Sequence, residues 1–376
     1  MKKLFFFAAV AVMAITACSK TEFVNEAQDN LITFQAAKYL TQTKAVTGTE
    51  FPKTETFGTY AWTAGTPGEF FMNNIEIKFD ATNNKWAPVT SYFWPKNQTV
   101  DFFSYYPYDV QGAVPQVSAT AITYNDVDFT ANQVDIMYAD KAVKFFDNSD
   151  DVNDGTSLSL VGVPTYFRHA GAKVTINVIL SYDFKAENGD TTKWNVTMKE
   201  AYLDSVFTKG SVTLTLSDQN ATGLVPWTKP LNADDQAVWT PTAGSYNSLT
   251  SELYKISQNY VLKTNEGVKI LDEVYMLPQA LEAGLQKLKF KFDVETLRKA
   301  AGETTYSSIL TQTDLIAETD LLIPTVTGVT GIYAWEMNKA ITYNVYIGPA
   351  SKPIYFDPAI SAWETQEATT SVELDL

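Results

Sequence analysis

The sequence predicts an all-β protein built of two β-sandwich domains in tandem, and three observations predict it. Aromatic residues make up 13% of the 376-residue chain, with 22 Phe, 20 Tyr and 8 Trp; together with abundant Thr and Val they suit a pleated face, where flat and branched side chains pack well. Short runs with a two-residue apolar–polar period recur through both halves, separated by turn residues. No repeat of about 20–50 residues is evident, which disfavours solenoids and propellers. The 45% hydrophobic content can bury a core, and this length suits two domains better than one.

The N-terminus comes first. Met1-Lys2-Lys3 precedes an unbroken apolar run over residues 4–14, too short for a permanent membrane span and of the right shape for the export core of a signal peptide, residues 1–17. The run ends in Ile15-Thr16-Ala17-Cys18, which resembles the lipobox of bacterial lipoproteins. Cys18 is the sole cysteine of the chain, so it is read as the lipid acceptor and new N-terminus, and no thiol is left for a disulfide or a metal. Several acyl chains give stable anchoring where one would not.

Residues 18–44 read as a lipidated tether followed by a first strand. Residues 19–30 are polar, and in residues 31–36 the side chains of Ile32, Phe34 and Ala36 share one face. Residues 41–48 (TQTKAVTG) are small and polar, a stretch within reach of a protease.

Residues 45–163 are expected to form the N-terminal sandwich, with strands at 57–62, 75–79 and 100–107 and turns at Pro67-Gly68, Asn73-Asn74 and Asn83-Asn84. Residues 147–155 break the rhythm, as a long loop or the approach to a domain boundary. Residues 164–376 are expected to form the C-terminal sandwich, with alternation at 173–178, 211–216, 287–292 and 342–347. Residues 293–301 (DVETLRKAA) read as a short helix. At the C-terminus, residues 368–376 alternate, with Val372, Leu374 and Leu376 on one face and Ser371, Glu373 and Asp375 on the other.

The charge and the rare residues exclude whole chemistries. Lys and Arg number 28 against 43 Asp and Glu, a net charge of −15, and no basic run is present, so nucleic acid is not a partner. With the one Cys read as the lipid acceptor, the one His has no thiol to pair with, which excludes a Cys–His pair. His169, ahead of an alternating strand, reads as a packing or hydrogen-bonding residue rather than a catalytic base. The acidic loop at 147–155 departs from a calcium loop, because Val152 takes a ligand position and Val161 stands where a bidentate Glu belongs. No catalytic residue, cofactor or metal is expected. The aromatic excess has two readings: core and cross-strand packing, or stacking platforms on a carbohydrate-binding surface lipoprotein.

Taken in order, several landmarks resemble the fimbrillin families of Bacteroidia, the type V pilus subunits and their Mfa-like relatives. They are the lipobox at Cys18, Phe57-Gly58-x-Tyr60-Ala61, Tyr92-Phe93-Trp94-Pro95, Val100-Asp101-Phe102-Phe103-Ser104-Tyr105-Tyr106-Pro107, and Phe167-x-His169-x-x-Ala172-Lys173-Val174. Tyr275-Met276-Leu277-Pro278-Gln279 and Ile341-Thr342-Tyr343-Asn344-Val345 complete them.

The resemblance implies two transthyretin-like sandwiches, outer-membrane export as a lipoprotein, and polymerisation with other pilus subunits into a cell-surface fimbrium that supports adhesion to a host or bacterial ligand. It also implies a trypsin-like maturation protease that cuts off the anchored segment. A strand of the next subunit then fills the vacated groove by β-augmentation. On this sequence the cut falls between Lys44 and Ala45, with Lys38 as the fallback; related subunits present Arg there, and this chain has none before Arg168. The strand removed is that of Ile32, Phe34 and Ala36, and the donor strand is that of Val372, Leu374 and Leu376.

Overall fold

The computed structural model describes residues 31–38, 49–63, 69–95, 100–110, 112–131, 133–139, 141–142, 162–180, 183–185, 189–215, 218–219, 237–245, 255–256, 259–262, 266–325, 331–347, 355–356, 359–361, 366–367 and 370–371. Every regular element among them is a β-strand.

In the first half the pairing closes on itself. Thr56–Thr63 pairs with Phe70–Asp80, which pairs with Lys85–Pro88, then Phe34–Lys38, Val163–His169, Met137–Ala139 and Val100–Tyr106, which returns to Thr56–Thr63. All these contacts are antiparallel except that between Phe34–Lys38 and Val163–His169. Inside the ring lie Phe34, Phe57, Ala61, Met72, Trp86, Phe102 and Phe167.

Alternation explains why two of these strands are buried on both faces. Phe57 and Ala61 turn into the ring, while Tyr60 and Trp62 turn outward into a second core. Likewise Phe102 faces in, and Phe103 and Tyr105 face out. The small sheet of Gln116–Val117, Ala121–Asp128, Lys209–Thr215 and Thr240–Pro241 covers that outer face with Ile122, Tyr124, Val212 and Leu214, which makes a sandwich. Gly58 stands opposite Tyr105 in the ladder, and a Cβ there would overlap the Tyr105 ring. This is the physical need behind the glycine in Phe57-Gly58-x-Tyr60.

In the second half two sheets enclose one core. One contains Gly267–Met276, Ala172–Leu180 and Ala340–Ile347; the other contains Asp183–Lys185, Thr191–Asp204, Lys287–Lys299 and Ser307–Asp320. Ala172–Leu180 and Ala340–Ile347 run parallel in continuous register from Lys173↔Ala340 to Leu180↔Ile347. Val174, Ile176, Val178, Leu288, Phe290, Phe292 and Tyr343 meet between the sheets. The two halves join at residues 169–173, where Ala170 N donates to Ile136 O (2.7 Å), Trp239 Nε1 to Ala170 O (2.7 Å) and Asn338 N to Gly171 O (3.0 Å).

Three sequence expectations are corrected. Residues 293–301 are not a helix; the strand Lys287–Lys299 takes in 293–299, paired with Thr191–Asp204 on one side and Ser307–Asp320 on the other, and residues 300–301 follow it into a turn. Burial of Leu288, Phe290, Phe292 and Val294 at period two outweighs the helical propensity of Glu, Leu, Arg, Lys and Ala. Asn73-Asn74 is not a turn either. It lies inside Phe70–Asp80 at a register shift opposite Tyr60, with Asn74 at φ 49° and its Oδ1 accepting from the Tyr105 hydroxyl at 2.6 Å. Thirdly, the sheets do not divide between residues 163 and 164. Val163–His169 belongs to the ring, and Lys209–Thr215 pairs back onto Ala121–Asp128.

Asn83-Asn84 does turn, held by Asp80, whose Oδ1 accepts Thr82 N (2.9 Å). Pro67-Gly68 and the loop 147–155 lie outside the described residues.

Candidate functional site

The site is the slot that the first strand occupies in the ring. Approaching it, Leu31 bridges Phe93 antiparallel and Ile32 N donates to Tyr92 O at 2.9 Å. Phe34 then pairs with Trp86 on one side. On the other, Phe34 through Lys38 run parallel to Val163 through Phe167, and Val163 N donates to Thr33 O at 2.6 Å.

Ile32, Phe34 and Ala36 all point into the ring, with exposures of 1%, 3% and 9%, while Gln35 is exposed. The Phe34 ring sits edge-on to Phe57 (5.8 Å between centroids) and to Phe102 (5.7 Å). Gly162, at φ 86°, passes so near that a Cβ would lie 3.0 Å from the backbone of Thr33 and Phe34. The slot is therefore three side-chain pockets with a backbone ledge at one edge.

The chain leaves the slot and comes back beside it. Lys38 pairs with Thr49, so Lys44 and Ala45 fall, by sequence, midway along the connection 39–48, outside the described residues. On the body side Phe51 is anchored among Phe57 (5.9 Å), Trp86 (5.4 Å), Tyr106 (5.3 Å) and Phe167 (4.9 Å). The Tyr106 hydroxyl donates to Glu55 Oε2 at 2.9 Å; burial first, and Glu55 second, push its pKa above the ordinary phenol value.

Cys18 also lies outside the described residues, as do Val372, Leu374 and Leu376. Two residues of the expected donor segment are described: Thr370–Ser371 pairs antiparallel with Tyr355–Phe356, on the edge of the chain's own second-half sheet. Those two residues thus lie on their own subunit.

The lone histidine is buried, and its Nδ1 lies 2.6 Å from Asp135 Oδ1, a structural pair at the join of the two halves. Among the described residues no three His, Cys, Asp or Glu side chains gather to hold a metal. The aromatic excess enters the cores. Of the described tryptophans, Trp62, Trp86, Trp94, Trp239 and Trp335 are buried and Trp194 is partly so.

Sequence reasoning missed Gly162, Phe51 and the Tyr92-Phe93 contact with the first strand. A glycine immediately ahead of a strand was the available signal for the first of these. The other two depend on pairing between residues far apart in the chain.

Several solved structures are similar to this chain, and the first of them, with a TM-score above 0.5, shares its fold. A fimbrial protein from Bacteroides vulgatus is 14% identical, with 89% of this chain and 99% of that one covered and a TM-score of 0.52. A candidate cell adhesion protein from Bacteroides uniformis is 17% identical over 89% and 98% of the two chains, with a TM-score of 0.40. A further such protein from Parabacteroides distasonis is 10% identical over 89% and 97%, with a TM-score of 0.45. Comparison with curated proteins finds no match. A family model described as fimbrillin-like matches residues 43–363, most of the length, and the chain belongs to that fimbrillin-like family.

Proposed function

We propose that this chain is a structural or accessory subunit of a cell-surface fimbrium, exported as a lipoprotein through Cys18 and assembled by strand exchange at the slot of the first strand. The observation that carries the reading is the burial of Ile32, Phe34 and Ala36 in a strand paired on both edges. Cutting between Lys44 and Ala45 severs that strand from the body and leaves two unpaired edges facing three apolar pockets. Such edges bind another strand through main-chain hydrogen bonds, with alternate side chains supplying fit. The family match runs from residue 43 to 363 and leaves out both the first strand and the segment 368–376, which supports the reading.

The donor is the segment 368–376 of a neighbouring subunit. Val372, Leu374 and Leu376 repeat the two-residue spacing of Ile32, Phe34 and Ala36, and burying them contributes about 5 kcal/mol before ordering costs. Charge does not drive the exchange: the segment 18–44 carries Lys20, Lys38 and Lys44 against Glu22, Glu26 and Asp29, so its loss leaves the net charge unchanged. The polymer supports adhesion at the cell surface.

The test is the N-terminus and mass of the protein on intact cells. The reading expects Ala45 as the N-terminus of polymerised protein, lipid-tethered monomer from Lys44→Gln, a mislocalised precursor from Cys18→Ala, and folded, cleaved, non-polymerising chains when residues 368–376 are deleted. Polymers of wild-type length from the deletion variant place the donor elsewhere.

A further inference from the structure

The landmark Tyr92-Phe93-Trp94-Pro95 is only partly used by the ring. Trp94 is buried, edge-on to Phe102 at 5.6 Å between centroids, whereas Phe93 is 51% exposed although its backbone bridges Leu31. Phe70 is 40% exposed, and no other phenylalanine among the described side chains is exposed.

Both stand at one end of the ring. Phe70 begins the strand Phe70–Asp80 opposite Trp62, near the end of Thr56–Thr63, and the side chain of its neighbour Phe71 meets Tyr92 edge-on at 5.7 Å. Phe34–Lys38 and Val163–His169 run parallel, so the end at which the first strand enters is also the end of Val163. His169, beside which the second half joins, lies at the other end. The aromatic rim is therefore the extremity of the first half that lies farthest, along the strands, from the second half.

What this rim faces follows from where the tether ends. On the lipoprotein reading, on which this inference rests, residues 19–30 separate the acylated Cys18 from Leu31, a length that reaches at most about 45 Å. Leu31 is paired with Phe93 itself, so the lipid draws the rim toward the bilayer ahead of every other part of the body.

We propose that in the uncut chain this rim rests on the lipid surface, with Phe93 and Phe70 in the boundary between headgroups and acyl chains. Exposed aromatic rings gain most by leaving water at that depth. Charge is not the basis of the contact: the chain carries a net −15, and Glu69 is exposed beside Phe70. The contact is accordingly apolar and insensitive to salt. The acyl chains anchor and the rim orients, holding the second half away from the membrane.

The experiment places one thiol at a time in the full, uncut chain, purified and reconstituted into vesicles of phosphatidylethanolamine and phosphatidylglycerol. Each thiol is labelled with an environment-sensitive nitrobenzoxadiazole probe. Phe93→Cys and Phe70→Cys report on the rim. Ala81→Cys reports on the turn at the opposite end of Phe70–Asp80, and Ile316→Cys on an apolar position of the second half that is 72% exposed. Lipids brominated in the acyl chain are expected to quench the rim probes about threefold or more above the other two, at low and high salt alike. Adding Phe93→Asp to Phe70→Cys is expected to return that probe to the level of Ala81→Cys. All these positions are exposed, so the variants keep the fold. Rim probes quenched no more than the other two overturn the contact while leaving Cys18 acylated. A rim probe that shifts to the blue without quenching overturns it as well, because a second copy of the chain then covers the rim. Wild-type protein that itself takes up the probe has a free Cys18, and the lipoprotein reading then falls and this contact with it.

Discussion

Gly162 and Phe34 are in backbone contact: a Cβ on Gly162 would stand 3.0 Å from both N and C of Phe34. Gly162 also holds φ at 86°, where an L side chain is strained. The residue just ahead of the ladder with the first strand thus has no room for a side chain unless that strand shifts.

Gly162→Ala is expected to destabilise the full chain by about 1–3 kcal/mol, from the positive φ and from displacement of residues 33 and 34. In a chain that begins at Ala45 only the φ contribution remains, so the penalty shrinks. Urea unfolding of both forms, with and without the substitution, measures the difference.

Phe34→Ala is expected to cost the uncleaved chain about 3–5 kcal/mol, since it empties a pocket walled by Phe57 and Phe102. Gln35→Ala, one residue on and exposed, is expected to stay within about 0.5 kcal/mol of wild type. Equal effects at the two positions would contradict the one-sided burial. Thermal melts of the intact protein decide the point.

Asp128 links two strands of the small sheet. Its Oδ1 accepts Thr130 N (2.8 Å), Thr130 Oγ1 (2.6 Å) and Ala131 N (3.1 Å), and its Oδ2 pairs with Lys209 Nζ (2.9 Å). Burial pushes its pKa up, but the bonds from Thr130, Lys209 and Ala131 together outweigh burial and hold it below the ordinary Asp value. A depressed carboxylate contributes stability that is present above the unfolded pKa, near 4, and lost as pH falls through the folded value. Asp128→Asn is therefore expected to destabilise at pH 7 by about 1 kcal/mol, with the gap to wild type closing at pH 3 and below. A gap unchanged between pH 7 and pH 3 would sink the assignment.

Asp190 is buried, takes Arg298 Nε at 2.9 Å and accepts Ala301 N at 2.9 Å. It ties the start of Thr191–Asp204 to the end of Lys287–Lys299, where the ladder is otherwise exposed. Asp190→Ala is expected to cost about 2 kcal/mol, less than a fully buried pair because Arg298 is half exposed. Amide hydrogen exchange is expected to rise first at residues 297–301.

Strands were legible where alternation was long and one face was buried, as at Ala172–Leu180 and residues 287–292, and the inward set Ile32, Phe34 and Ala36 was legible from period alone. The partners of that set were not, because Phe34 meets Val163 across most of the first half and no local pattern encodes such a pairing. Residues 293–301 misled because helix formers occupy a strand whose two neighbours supply the ladder. Asn73-Asn74 misled for a related reason: asparagine tolerates positive φ in turns and in bulges alike. The exposure of Phe70 and Phe93 left no sign, since an exposed Phe reads the same in sequence as a buried one.

The closed ring sets an order of events for the newly made chain. Residues 31–38 are synthesised first, yet they cannot be locked in place until residue 163 and beyond have followed, so ring closure depends on a contact of high sequence separation and belongs among the slower steps of folding. Once closed, the strand is held at the high effective concentration of a tethered segment, which a free competitor at ordinary concentration does not match. Loss of the tether turns that advantage off at a stroke. On the proposed reading, a ring that closes late in folding resists early invasion and would open to it only once its own chain had been cut.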